Sequence, residues 1–203
     1  MALFPFWGGV VLICYILNIV FEGFPGFYKS TRYVGSGKSI TVTKFRVMKK
    51  GIDKKLNRST ISIKDKIFLN LPLDEKIYTS FGVILERFGI TELPQFFSVI
   101  KGDMSLVGAR PLPNDVYSAL EKEFPHIARK RYDSKCGLTG LPQLVGRDGL
   151  SDKDRLILES SYCTWVQSNY SIMIDFKIIF YTILVVLGFK NRVSANEAVS
   201  LLK

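Results

Sequence analysis

The sequence predicts a mixed α/β globule, rich in helix and poor in sheet, resting on a membrane through an apolar N-terminal helix. Three observations carry that prediction: an uncharged apolar stretch at residues 3–21, helical spacing of apolar residues in several later segments, and one clearly alternating segment at residues 39–47. The chain has 203 residues, with 28 Lys and Arg against 18 Asp and Glu, a formal charge of +10. Its mean hydropathy is nevertheless positive, +0.17. A chain both basic and apolar suits an anionic membrane surface, with basic residues at the headgroups and apolar segments inserted. Nucleic acid, the other customary partner of a basic chain, is not expected, because no recognition helix, zinc spacing or stacking-aromatic motif is present. The length accommodates one core and an appendage. Residues 1–22 are predicted as a membrane-inserted helix segment and residues 23–203 as a cytoplasmic body with amphipathic interfacial helices.

The first segment is short for a spanning helix, which needs about 20 apolar residues, and Pro5, Gly8 and Gly9 weaken its first turns. A cleaved leader is disfavoured, because no basic region precedes the apolar run and Phe24-Pro25-Gly26 is a poor cleavage site. Lys29, Arg32, Lys38, Lys44 and Arg46 follow it, so the positive-inside rule puts the rest of the chain in the cytoplasm. Cys14, Cys136 and Cys163 are odd in number and widely spaced, unlike a disulfide framework or a zinc site, and suit a reducing compartment.

Residues 39–47 alternate as a strand. Residues 51–66, rich in Lys, Asp, Asn and Ser, read as a solvated loop. Ile77, Phe81, Ile84, Leu85 and Phe88 have helical spacing, as do Leu93, Phe96, Phe97 and Ile100. Thr91 is predicted to cap that second helix and to bury its apolar face. Asn114 is predicted to cap a helix running to about Phe124, stopped by Pro125, and residues 136–150 to form a shaped loop. Ser151 and Asp152 are the cap candidates for a helix reaching about Gln167. A second apolar run at 172–189 carries Asp175 and Lys177 near its start. It is either a surface-lying, partly inserted helix or a core helix.

The stretch 87–111 carries the most chemistry. Glu92 falls in the first turn of a helix, where free N–H groups and the helix dipole favour anions and metal-bound phosphates, and a glycine turn then leads to Arg110 in a Gly-Ala-Arg-Pro loop. Gly35-Ser36-Gly37-Lys38-Ser39 imitates the end of a Walker A loop, but Arg32 stands where the motif needs a glycine, so it reads as a turn before a strand. His126 has no cysteine or carboxylate at ligand spacing and reads as a helix-end residue.

Four segments in this order, KFRVM (44–48), ELPQFFSVIKGDMSLVGARP (92–111), GLTGLPQLVGR (137–147) and SIMIDFKIIFYT (171–182), resemble the bacterial sugar transferases, the monotopic phosphoglycosyl transferases that begin glycan assembly. The resemblance covers nearly the whole chain. It implies transfer of a phospho-sugar from a nucleotide diphosphate sugar to a polyprenol phosphate (undecaprenyl phosphate) at the cytoplasmic face of the bacterial inner membrane, with Mg2+. It also implies a re-entrant helix broken at Pro5. Since donor, acceptor and any carboxylate nucleophile are all anions, Arg46, Arg87, Arg110 and Arg147, with Lys44, are the candidate substrate-binding cations. Glu92 and Thr91 are the catalytic candidates, with Glu92 also the metal candidate.

The chain departs from the family pattern at several positions. An Asp-Glu pair precedes Leu-Pro-Gln in the family, its aspartate serving as nucleophile, whereas Thr91-Glu92 stands here. The arginine expected five positions earlier is Glu86, with Arg87 beside it. A carboxylate usual in the helix before residue 171 is Cys163 here, and the Arg-Pro-Gly run is Lys135-Cys136-Gly137. Three readings are therefore open: a transferase using Glu92, or Thr91 with Glu92 as base; a silent relative acting as a membrane partner of glycan-assembly enzymes; and a basic membrane-surface binding module.

Overall fold

The computed structural model describes residues 3–35, 38–52, 77–146 and 150–202, with side chains from Trp7 onward. Most of the expected loop at 51–66, and the candidate Arg147, lie outside the described residues. Among the described residues helices dominate, and the sheet is limited to two pairs of strands. The mixed, helix-rich class predicted from the sequence is the one observed.

Helix α1 (Leu3–Glu22) is followed by an antiparallel hairpin of β1 (Phe27–Gly35) and β2 (Lys38–Phe45). Tyr28 pairs with Lys44, Ser30 with Val42 and Arg32 with Ile40, so pleating puts Arg32 and Lys44 on one face. Thr79 caps α2 (Ser80–Arg87) by accepting from the Gly82 N–H at 3.0 Å. The predicted cap at Thr91 is not formed. Gly89, at φ +65°, turns the chain into a 3-10 helix, Ile90–Gln95, and only then does α3 (Phe96–Ile100) begin. Pro94 explains the difference, since it lacks the N–H that an α-turn starting near Thr91 would use.

Strand β3 (Ser105–Val107) pairs in parallel with β4 (Gly137–Thr139). A side chain on Gly137 would lie 2.1 Å from the Gly108 nitrogen, so only glycine permits this crossing. The remaining helices among the described residues are α4 (Asn114–Glu123), α5 (Pro125–Lys130), α6 (Leu141–Val145), α7 (Asp152–Asn169), α8 (Ile172–Val186) and α9 (Ala195–Ser200). Pro113 rather than Asn114 occupies the cap position of α4, and His126 lies in the first turn of α5. The predicted loop at 136–150 contains β4 and α6. Ser151 caps α7 as predicted.

Three apolar clusters hold these elements. Val107, Leu141, Leu144, Leu158 and Ile178 join the parallel strands to α6, α7 and α8. Leu112, Val116, Leu120 and Leu156 join α4 to α7, and Val11, Phe45, Val47 and Leu85 hold α1 and α2 against the hairpin. Helix α1 is also tied at both ends. The Trp7 indole donates to the Leu93 carbonyl at 3.2 Å, and Arg46 donates to the carbonyls of Glu22, Gly23 and Pro25 at 2.6–2.7 Å. A cation on the last carbonyls of a helix satisfies groups the helix itself leaves unpaired.

Much apolar surface remains uncovered. Leu12, Ile13, Ile16, Val20 and Phe21 on α1 are exposed, as are Ile84 on α2 and Phe97 and Ile100 on α3. The face of α3 predicted to be buried is therefore half open, because periodicity identifies an apolar face without identifying what covers it. Of α8, Ile178 alone is fully buried, while Ile172, Met173, Phe176, Phe180 and Ile183 are exposed. It is not a core helix. Asp175 at its start accepts hydroxyls of Tyr162 at 2.6 Å and Tyr170 at 3.1 Å, which accounts for a charge at the head of an apolar run. Ring contacts between Trp7 and Phe97 and between Phe21 and Phe81 link the exposed faces of α1, α2 and α3. Among the described residues no helix is long and apolar enough to cross a membrane.

Removing the Arg46 guanidinium strands three carbonyls in a largely buried position. Arg46→Met is expected to lower stability by about 3 kcal/mol, the scale for charged hydrogen bonds and unmet acceptors, in a denaturant titration. An unchanged midpoint would show that α1 does not depend on this tie.

Candidate functional site

Two cationic side chains from separate parts of the sequence meet at one carboxylate. Lys44, near the end of β2, donates from Nζ to Glu92 Oε1 at 2.7 Å. Arg110, two residues beyond the Gly108 crossing, donates from one terminal nitrogen to Glu92 Oε2 at 2.9 Å and from the other to Oε1. The Arg110 contact is the bidentate fork that guanidinium makes with carboxylate or phosphate. All three side chains are largely buried, with Glu92 14% exposed. Arg32, Val42, Gln95 and Gly137 complete the walls of a narrow cleft with about 10 Å³ of free space, room for one water. The Gln95 amide nitrogen is buried there with no hydrogen-bond partner among the described residues.

Two cations facing one carboxylate leave the cleft with surplus positive charge, and Arg32 adds to it. Burial lowers the pKa of Lys44; Glu92 raises it, Arg110 and Arg32 lower it again, and the result is about 8. Burial opposes the charge on Arg110 most strongly, but Glu92, joined by Glu86 and Glu159, raises its pKa and the net shift is upward. Such a cleft can exchange its internal carboxylate for the oxygens of a diphosphate, an anion of similar geometry and greater charge.

Below the cleft lies a second ion pair. Arg131 is fully buried and donates from Nε to Glu159 Oε2 at 2.7 Å, from one terminal nitrogen to the Arg110 carbonyl at 2.7 Å, and from the other to the Tyr132 hydroxyl at 2.7 Å. The Glu159 Oε1 accepts the Arg110 N–H at 3.3 Å. Burial works against the Arg131 charge, yet neighbouring Glu159 pushes its pKa up. Cys163, where the family resemblance places a carboxylate, donates from Sγ to the Arg131 carbonyl at 3.1 Å. Glu159 lies four residues earlier on the same helix face, so the carboxylate partner comes from one turn away.

Of the residues singled out in the sequence, the structure brings Lys44, Glu92 and Arg110 together. Arg46 is turned to the end of α1 and has its donors on carbonyls, because β2 ends at Phe45 and the next residue leaves the pleat. Arg87 is exposed in the last turn of α2. Thr91 is 3% exposed, and its hydroxyl has no hydrogen-bond partner among the described residues. Arg32, Gln95, Arg131 and Glu159 were not singled out. For Arg32 a signal existed, since it shares the strand face of Lys44 once the hairpin register is set. Charge counting does not reveal a buried pair such as Arg131 and Glu159.

Glu92 is the only carboxylate among the described residues lining the cleft, and among the described residues no three His, Cys, Asp or Glu gather to hold a metal. One carboxylate cannot cage magnesium. It does fit a magnesium ion whose other ligands are phosphate oxygens and water.

A model of the family described as bacterial sugar transferase matches residues 1–189. The chain is 33% identical over 183 residues to the galactosyl transferase CpsE of Streptococcus agalactiae, covering 88% of this chain and 38% of that protein. It is 31% identical over 192 residues to the UDP-glucose:undecaprenyl-phosphate glucose-1-phosphate transferase of Escherichia coli, covering 90% of this chain and 37% of that protein. Against the exopolysaccharide production protein ExoY of Rhizobium meliloti the identity is 31% over 167 residues, covering 80% and 70%. The chain thus spans well under half the length of the first two relatives and about two thirds of the third.

The protonated form of Lys44 is the one that binds an anion, and with a pKa of about 8 its charge is present below that pH and lost above it. Affinity for a diphosphate ester, measured by calorimetry without divalent metal, is expected to fall roughly tenfold between pH 7 and pH 9, and Lys44→Arg is expected to flatten the profile. A flat profile in the unaltered protein would remove Lys44 from the binding site.

Proposed function

This chain belongs to the bacterial sugar transferase family, and on that premise we propose that it transfers a sugar-1-phosphate from a UDP-sugar to undecaprenyl phosphate, initiating synthesis of an extracellular polysaccharide. The observation that carries this reading is the convergence of Lys44 and Arg110 on Glu92 inside a narrow cleft. In the proposed reaction the bond between the two phosphates of the donor breaks, UMP leaves, and the sugar-bearing phosphorus gains a bond to an oxygen of the lipid phosphate. Lys44 and Arg110 would release Glu92 and take up the diphosphate oxygens, which lowers the repulsion between donor and acceptor. Glu92, thus freed, would attack the sugar-bearing phosphorus, with UMP leaving, and would pass the group to the lipid phosphate in a second step that frees the carboxylate. Glu92 is also the residue that would hold magnesium, whose charge would offset that of the phosphates.

The same reading gives the exposed apolar faces a use. Exposed apolar patches of this kind mark interaction or membrane surfaces, and α1, α2, α3 and α8 would lie in one leaflet at the cytoplasmic face of the inner membrane. Trp7 holds α1 to the carbonyl of Leu93, next to Glu92, so an acceptor with its tail in lipid would have its phosphate close to the cleft.

A second reading, a donor-binding relative without turnover, is favoured by two observations. The Thr91 hydroxyl is buried, and both oxygens of Glu92 are occupied by cations. Purified protein given UDP-glucose or UDP-galactose, undecaprenyl phosphate and magnesium is expected to release UMP. Glu92→Gln is expected to reduce release by about a thousandfold or more, the scale for loss of a reacting carboxylate. Binding of UDP-sugar without UMP release, with release appearing in Thr91→Asp, would establish the second reading instead.

A further inference from the structure

We propose that the buried pair Glu159 and Arg131 positions Arg110 for anion binding, by holding both the backbone N–H and the backbone carbonyl of Arg110. Glu159 Oε1 takes the N–H of Arg110, at 3.3 Å, and Arg131 gives a terminal N–H to its carbonyl, at 2.7 Å. The two side chains are joined to each other through Arg131 Nε and Glu159 Oε2 at 2.7 Å, so the clamp closes as a ring of hydrogen bonds around the backbone of a single residue. Neither side chain of the pair lines the cleft, and the Arg131 side chain is fully buried with Glu159 2% exposed.

A buried ion pair is a poor source of stability, because desolvation offsets most of its attraction. Its location therefore calls for another account, and the peptide it grips belongs to the residue whose guanidinium forks onto Glu92. Arg110 comes just after the Gly108 crossing, where φ is +159°, and before Pro111. Short strands β3 and β4 supply little to fix the orientation of residues beyond their ends. The clamp does so from outside the cleft lining. Arg131 also holds the Tyr132 hydroxyl at 2.7 Å, and the Tyr132 ring packs edge-on against Tyr33 of the hairpin at 5.0 Å, so the pair links the Arg110 loop to the strands that carry Arg32 and Lys44. The three cations of the cleft are thereby set relative to one another by one buried carboxylate.

This inference rests on the donor-binding role proposed above for its functional consequence, but not for its structural one. Glu159→Gln keeps the shape and turns an acceptor facing Arg131 into a donor, while Glu159→Asp keeps the charge and shortens the reach. Arg129→Ala, which breaks an exposed pair with Glu121, is the control. In protein labelled with ¹⁵N, the side-chain Nε–H signal of Arg110, identified by its loss in Arg110→Lys, is expected to be sharp and shifted from free arginine. In each folded Glu159 variant it is expected to move toward the free value or broaden, with the circular dichroism spectrum kept. UDP affinity is expected to fall about tenfold or more in the same variants, as small misplacements of a positioning group do, and to be unchanged in Arg129→Ala. An Arg110 signal unaltered in folded Glu159→Asp or Glu159→Gln would overturn the positioning role. Absence of UDP binding in the unaltered protein would sink the proposed function and leave the spectroscopic result to decide this inference.

Discussion

A cation held in a dry cleft must have an anion beside it, and this constraint organises the site. Lys44 and Arg110 are kept there by Glu92, and Arg131 beneath them is kept by Glu159. Without those carboxylates Lys44 would deprotonate and the arginines would turn out to solvent. The two pairs differ in what they can do. The Glu92 pair borders open space and can exchange its anion for another, whereas the Glu159 pair is sealed and can only hold its neighbours in place.

The scaffold is built to bring those charges together from distant segments. The hairpin supplies Lys44 and Arg32 on one face, the 3-10 turn supplies Glu92, and the crossing of two short parallel strands delivers Arg110. Glycine at 137 lets the second strand approach closely enough for that crossing. Helix α1, tied by Trp7 at one end and Arg46 at the other, closes the side nearest the exposed apolar surface. Polar chemistry and apolar surface are thus neighbours, an arrangement suited to a reaction between a water-soluble donor and a lipid acceptor.

Much of this was legible in the residues. Strand alternation located β2, and Thr-Glu followed by the Gly-Ala-Arg-Pro loop located the carboxylate and its arginine. Other features were not legible, for physical reasons. Lys44 and Arg46 are two apart and look like a pair on one strand face, yet the strand ends between them and Arg46 is used on helix α1 instead. The apolar spacing of Phe97 and Ile100 shows a face but not its covering, and that face is half open. Pro94 converts the expected capped α-turn at Thr91 into a 3-10 turn that buries the threonine. The loss of a carboxylate at Cys163 looked like a gap in the site, whereas Glu159, one helical turn earlier, fills the role of counter-ion.

The central claim is that Lys44 and Arg110 exchange Glu92 for a donor diphosphate. An experimentally determined structure with UDP-glucose bound tests it most directly. The account predicts diphosphate oxygens within hydrogen-bond distance of Lys44 Nζ and the Arg110 guanidinium, with Glu92 displaced from at least one of them. Nucleotide bound elsewhere, with both cations still on Glu92, would contradict it.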